Sequence, residues 1–422
     1  MAGSAMQTDT ALIDDVADWL MSRALEDSSV EAILQGCCTR LVAADIPVSR
    51  VALTYRTLHP LFRAIGLRWR RGGAVETDEL LHGTDTSVAF LRSPFHHLLN
   101  SGLGFLRRRL EGDRPTLDFP LLAELRDQER VTDYVAWAVP FGPPQATPDA
   151  RSADGLLGSW STDQPGGFTD AHLIALKRVQ RRLAVACKVT IKNQITHNVL
   201  AAYLGPDAAE RVYSGSISRG SGENIHAVIW FADLRDSTRL STEMPVEAFL
   251  GLLNEFFECI AEPVLEKGGE VLRFIGDAVL AIFPMRGAHS GKAANCPIHR
   301  AACETALAAA LEAIRRAETL NARRAAQGKS ALRFGIGLHV GDVMYGNIGV
   351  PSRVEFSVVG AAANHAAKIE LLCKLLDVPL VVSQEFSRIA PGPWQSMGRH
   401  RLPGIDKPQR VSTLAALLPT QA

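Results

Sequence analysis

Apolar and polar positions repeat along this chain with two different periods, and the changes of period predict its elements. Leu12, Val16, Trp19, Leu20 and Ala24, then Ile33, Leu34 and Leu41, recur at helical spacing, so residues 12–45 are expected to be helical. Residues 49–57 and 62–70 alternate with period two and read as strands joined through His59-Pro60. A helical piece near 94–100, a strand-like run at 105–110 and strands at 135–139 and 155–161 follow. Phe168-Thr169-Asp170 then opens a helix that runs from about 171 to 203, and a second short helix follows Gly205-Pro206. Residues 214–222, rich in Ser and Gly, lose all periodicity and read as linker.

The second half is organised around residues 226–283. A strand-like run, Ala227-Val228-Ile229-Trp230-Phe231-Ala232, ends on Asp233. Val246, Phe249, Leu250, Leu253, Phe256, Phe257 and Ile260 then recur at helical spacing, and two apolar runs meet at Ile275-Gly276-Asp277, the tip of a hairpin. An alanine-rich helix is expected over 302–322, a hairpin from 332–340 and 342–348, a strand at 354–359, and closing strands at 378–382 and 401–413. A strand and a hairpin joined by one crossover helix can lie side by side, which brings Asp233 and Asp277 together. Two adjacent carboxylates repel unless a cation lies between them. Hard oxygen ligands with few protein partners suit Mg²⁺ or Mn²⁺ beside phosphates. Taken singly, Asp233 reads first as a helix cap and Asp277 as a turn residue; it is their pairing that points to a metal.

Several motifs, in order, carry a resemblance. Phe231-Ala232-Asp233-Leu234-Arg235-Asp236-Ser237-Thr238 and Phe274-Ile275-Gly276-Asp277 resemble the two metal-binding motifs of class III nucleotidyl cyclases. Gly335-Ile336-Gly337-Leu338-His339-Val340-Gly341-Asp342-Val343, Gly346-Asn347-Ile348-Gly349, Arg353 to Gly360, and Asn364 to Glu370 continue it over roughly residues 224–418. The resemblance implies a ferredoxin-like βαββαβ catalytic domain that turns ATP into 3′,5′-cyclic AMP and pyrophosphate. It further implies two Mg²⁺ or Mn²⁺ ions per site, held by Asp233, Asp277 and the Leu234 carbonyl. Backbone N–H groups from Leu234 to Thr238 would cradle the phosphates. Asn364 would hold the ribose, Lys368 would stand at the transition-state position, and Arg273 and Ser357 would read the base. In this family one chain supplies the metal carboxylates and another the base, ribose and transition-state residues, so a homodimer with two sites is implied.

Three positions depart from the family pattern. Lys368 replaces an arginine, keeping the charge but losing the planar fork, so reduced activity is expected. Asp236 replaces a glycine and adds negative charge near the phosphates. Arg273 stands where adenylyl members place lysine and guanylyl members place glutamate. Having no acceptor for guanine, it favours adenine, with the Ser357 hydroxyl accepting from the N6 amino group. A guanylate cyclase, or an impaired nucleotide-binding module that retains the fold, are the alternatives.

The expected organisation is a regulatory domain over 1–195, a helical connector and linker over 196–223, and the catalytic domain over 224–422, giving an α+β and α/β chain. Helix, antiparallel strands, Gly167-Phe168-Thr169 and a long exit helix resemble a GAF-type small-molecule sensor, whose ligand is unnamed. The connector is placed to transmit its state. The 45 basic and 45 acidic residues cancel, which argues against a nucleic-acid partner. No apolar run approaches the roughly 20 residues that span a bilayer, and the polar start is not a signal peptide. A cytoplasmic protein with reduced thiols is expected.

Other clusters carry chemistry less strongly. Cys37-Cys38 reads as packing before redox chemistry. Cys296, His299 and Cys303 offer only three metal ligands. Arg68-Trp69-Arg70-Arg71 and Arg107-Arg108-Arg109 can bind an anion but read better as a solvated face, and His96-His97 reads as helix surface.

Overall fold

The computed structural model describes residues 2–83, 87–142, 154–285 and 296–418, with only the helical backbone for residues 2–10. The chain divides into two compact units, Met1–Ala202 and Tyr203–Ala422, so the division falls within the stretch expected to be connector.

The first unit contains α1 (Ala2–Arg23), α2 (Val30–Ala43), β1 (Arg50–Arg56), β2 (Phe62–Arg70), β3 (Glu76–Leu81), α3 (Val88–Leu91), α4 (Pro94–Ser101), β4 (Phe105–Arg109), α5 (Pro120–Glu129), β5 (Asp133–Pro140), β6 (Gly155–Thr162) and α6 (Asp170–Leu204). Its six strands form one antiparallel sheet in the order β3-β2-β1-β6-β5-β4. Alternation along β5 splits its side chains between two cores. Val135 and Trp137 pack with Trp160 and with Leu20, Ile33, Leu34, Val179 and Leu183 of α1, α2 and α6. Tyr134 and Ala136 pack with Leu98, Leu122 and Leu125 of α4 and α5. The fully buried Asp133 accepts from the Arg107 guanidinium at 2.6 Å and from the Phe168 N–H at 3.0 Å. That carboxylate ties the Phe168 motif to the sheet, and Gly167 (φ +76°) leaves it room.

The second unit contains α7 (Pro206–Tyr213), β7 (Gly222–Leu234), α8 (Ser237–Glu243), α9 (Val246–Glu266), β8 (Glu270–Ile275), β9 (Ala278–Pro284), α10 (Pro297–Ala326), β10 (Phe334–Val350), β11 (Arg353–Val359), α11 (Ala361–Leu376), β12 (Leu380–Ser383), α12 (Gln384–Ile389), β13 (Trp394–His400) and β14 (Gln409–Leu414). The sheet runs β13-β14-β12-β10-β7-β9-β8, with β11 paired to β10 and only β12 parallel to its β10 neighbour. The path β7, α9, β8, β9, α10, β10 gives the order β10-β7-β9-β8, the arrangement expected of a βαββαβ core. Val228, Trp230 and Ala232 of β7 face α9 and α10, and Ala227 and Ile229 face the opposite layer, where Ala362 and Ala366 of α11 pack.

Three expectations are corrected here. The hairpin expected around Gly341 is one continuous 17-residue strand, β10, whose pairing with β7 passes through that glycine without a break. Gly341 is required by helix packing: a Cβ there would lie 2.6 Å from Cβ of Ala362 on α11. The closing stretch 401–413 is not one strand, because β13 ends at His400 and β14 begins at Gln409. The linker is not free of structure. Buried Asn347 donates to the Ser216 carbonyl at 2.7 Å and its backbone exchanges two 2.9 Å bonds with Gly220 and Ser221.

Candidate active site

Antiparallel pairing of β7 with β9 sets Asp233 opposite Ala278, so the preceding turn residue, Asp277, falls beside it. The Leu234 N–H donates to the Asp277 carbonyl at 3.4 Å, and the two carboxyl groups lie close enough to act on one another's ionisation. Burial, followed by the Asp277 charge, pushes the Asp233 carboxyl up to about 6, against the opposing pull of the Leu234 N–H and Arg235. A strand end and a hairpin tip have therefore converged on a site of crowded negative charge.

A third carboxyl joins them. Glu370, on α11, is 4% exposed, and burial with the Asp233 charge pushes it up to about 7. It lies against Gly335, the residue of β10 paired with Asp233. Sequence reasoning quoted Glu370 without giving it a role. The available signal was the alternation of glycine at 335, 337 and 341, which clears one face of β10 for a helix.

Such a donor set fits a divalent cation. Two hard carboxylates that destabilise each other when ionised gain from a cation between them, and the remaining ligands would be water and phosphate oxygens. Among the described residues no three His, Cys, Asp or Glu side chains form a group that could hold a metal ion, so Glu370 stands behind the Asp233–Asp277 pair and is not a third ligand. Cys303 and His299 are buried in or beside α10.

Asp236 has φ +59°, a left-handed backbone at the entrance to α8, which explains why glycine suits the position. Its carboxylate lies 3.9 Å from the Lys374 ammonium. Thr238 is exposed one residue into α8. Asn364 and Lys368 share one side of α11, one turn apart. Glu370, two residues beyond Lys368, points about 200° around the helix. Lys368 is thus turned away from the side of α11 that meets Asp233, and its Nζ sits 3.3 Å from the position of a Cβ on Gly404. One chain brings Asp233, Asp277 and Glu370 together and leaves Asn364 and Lys368 apart from them.

Arg273 makes a two-point ion pair with Glu355 of β11 through Nε and Nη2. Ser357, two residues along the same strand, is only 5% exposed. The expectation that this position lacks an acceptor therefore does not hold, since a carboxylate stands beside the arginine.

Residues 222–389 match the adenylate and guanylate cyclase catalytic domain family. This unit is a class III nucleotidyl cyclase domain. An adenylate cyclase of Anabaena cylindrica is 30% identical over 196 residues, 45% of this chain and 35% of that protein. The terminal-differentiation-specific adenylate cyclase of Dictyostelium discoideum is 28% identical over 226 residues, 53% of this chain and 9% of its own length. The chain spans about a third of the length of the curated relatives it matches first. The adenylyl cyclase CyaB of P. aeruginosa aligns over 46% of this chain and 94% of its own, at 21% identity and a TM-score of 0.39. The guanylate cyclase domain of RhGC from Catenaria anguillulae, solved with GTP, aligns over 45% of this chain and 96% of its own, at 17% identity and a TM-score of 0.36.

Outside the cyclase domain, most arginines of the basic clusters stand in ion pairs. Arg68 meets Glu76 and Asp78, Arg70 meets Glu76 and Glu129, and Arg71 meets Asp163. Arg107 meets Asp133 and Arg108 meets Asp118. His96 contacts Asn100 on the helix surface. Cys37 and Cys38 are buried thiols that burial pushes up, Cys37 to about 12, which leaves packing as their role. No helix among the described residues is long and apolar enough to cross a membrane.

Proposed function

We propose that this chain is a homodimeric adenylate cyclase regulated by its first unit, converting ATP to 3′,5′-cyclic AMP and pyrophosphate. The observation that carries the reading is the Asp233–Asp277 pair, two carboxyls brought together where the end of β7 meets the β8–β9 hairpin tip. Asp233, Asp277 and the Leu234 carbonyl would hold two Mg²⁺ or Mn²⁺ ions. Bound there, the ions would polarise the 3′-oxygen and neutralise the leaving phosphates. Residues from Leu234 to Thr238 would present backbone N–H groups to the phosphates.

The remaining groups act on the nucleotide itself. Asn364 would orient the ribose, and Lys368 would place its charge on the α-phosphoryl oxygens as negative charge builds there. Attack of the 3′-oxygen on the α-phosphorus forms one ester bond while the bond to the β-phosphate oxygen breaks; pyrophosphate leaves, and the 3′-hydroxyl proton passes to solvent. Arg273 would donate to adenine N1, with an acceptor for the N6 amino group supplied from β11 beside it. The outward separation of Asn364 and Lys368 from the carboxylates supports a site completed by a second copy.

For the first unit, the strand order β3-β2-β1-β6-β5-β4 with helices on both faces supports a GAF-like sensor of an unnamed small molecule or protein, acting in the cytoplasm. Its state would reach the cyclase domain through residues 196–223.

One observation favours guanylate cyclase as a second reading: the Glu355 carboxylate beside Arg273. Lys368 and Asp236 favour an impaired module. Assaying the full chain with ATP and with GTP, in Mg²⁺ and in Mn²⁺, beside Asp277→Asn separates the three. Cyclic AMP lost in the variant is the expected result; cyclic GMP alone supports the second reading, and no product from either nucleotide the third.

A further inference from the structure

Arginine offers five N–H donors and no acceptor, and a carboxylate offers lone pairs and no donor. In the Arg273–Glu355 pair Nε–H donates to Oε1, and Nη2 is ion-paired with Oε2. Among the described residues no further hydrogen bond is made by either side chain, and both are 40% or more exposed. The two residues come from strands 82 positions apart, β8 and β11, and Arg273 stands four residues before Asp277 on the same hairpin. The pair therefore presents a donor and an acceptor side by side. That is the complement of a purine's Watson–Crick edge: N1 and the N6 amino group of adenine, or O6 and N1–H of guanine. Ser357 is the wrong candidate for the acceptor on exposure, being nearly closed off where Glu355 is open.

We infer that Glu355 is the acceptor that reads the purine base, and that it also holds the Arg273 fork in place for the same base. The inference rests on the cyclase reading of this domain and deepens it. A carboxylate accepts two guanine donors, N1–H and the N2 amino group, but only one adenine donor, so Glu355 admits guanine to a pocket that arginine and serine alone would leave to adenine. An amide at this position keeps one acceptor lone-pair set and loses the charge.

The test is base preference, measured as kcat/KM for ATP over that for GTP, in wild type, Glu355→Gln, Glu355→Asp and Ser357→Ala. Equilibrium binding of 3′-deoxy-ATP and 3′-deoxy-GTP with Mn²⁺, which needs no turnover, runs beside it. Glu355→Gln is expected to raise the ATP-over-GTP ratio about tenfold, chiefly through KM and binding of the guanine nucleotide. Glu355→Asp is expected to stay nearer the wild-type ratio. An ion pair that merely braces β8 against β11 would lower both substrates alike and leave the ratio where it was, which overturns the inference. So does a ratio that moves with Ser357→Ala and not with Glu355→Gln. Wild type that binds neither 3′-deoxy nucleotide and yields no cyclic product overturns the cyclase reading itself, a different failure.

Discussion

Gly337 and Glu370 meet backbone to backbone: a Cβ on Gly337 would lie 2.6 Å from the Glu370 nitrogen and 2.5 Å from the Ala366 carbonyl oxygen. Helix α11 thus rests directly on strand β10, and this closeness sets where Glu370, Asn364 and Lys368 stand. Because the obstructing atoms are backbone, nothing can rotate aside. Gly337→Ala is expected to displace the helix and cost about 1–3 kcal/mol, read as a lower melting temperature. Activity should fall by more than the unfolded fraction accounts for, because Asn364 and Lys368 ride on the same helix.

The crowded carboxyls predict a pH dependence. The folded Asp233 holds its proton up to about 6, where an ordinary aspartate releases it near 3.8. Metal-free stability from this group is therefore full below about 3.8 and is lost as pH rises through about 6. Glu370 acts in the same sense between 4.5 and about 7. A divalent ion competes with these protons, so Mn²⁺ affinity should be about tenfold weaker at pH 5 than at pH 7 by calorimetry. Equal affinity at the two values would contradict the pairing.

Lys368 is a point charge in a position that suits a fork. Lys368→Ala is expected to lower kcat about a hundredfold with little change in KM, since the charge matters most as the α-phosphoryl oxygens charge up. Lys368→Arg should raise kcat above wild type, provided the loop at Gly404, against which the ammonium sits, can take the larger head group. Steady-state kinetics on the three proteins decides it.

Asp236 sits at φ +59°, a conformation that costs a residue with a side chain and not glycine. Asp236→Gly is expected to raise stability by up to about 1 kcal/mol in thermal melts. It should also tighten nucleotide binding by removing a negative charge near the phosphates.

These positions show where the sequence was legible. Asp233 and Asp277 stand at boundaries of strongly patterned strands, so their convergence follows from local period and one crossover helix. Glu370 was not legible as a site residue, because its burial depends on glycines some 30 positions upstream that clear its berth on β10. Glu355 was missed for a similar reason, its partner lying 82 residues away. Gly341 was misread as a turn, since a glycine that admits a helix and one that bends a chain look alike in one dimension. Edge strand β3, Glu76–Leu81, went unseen because it is almost wholly exposed and carries no alternation of burial.

Complementation between two impaired variants tests the central claim, a cyclase whose site is built from two copies. Asp277→Asn removes a metal carboxylate and Lys368→Ala the transition-state charge, and each is expected to keep about a hundredth of the activity or less alone, yet to be dimeric by size-exclusion chromatography. In an equal mixture, random pairing puts half the dimers in the mixed form with one intact site of two. Product formation near a quarter of the wild-type rate is therefore expected. A mixture that exchanges subunits and stays at the level of the single variants would contradict the account.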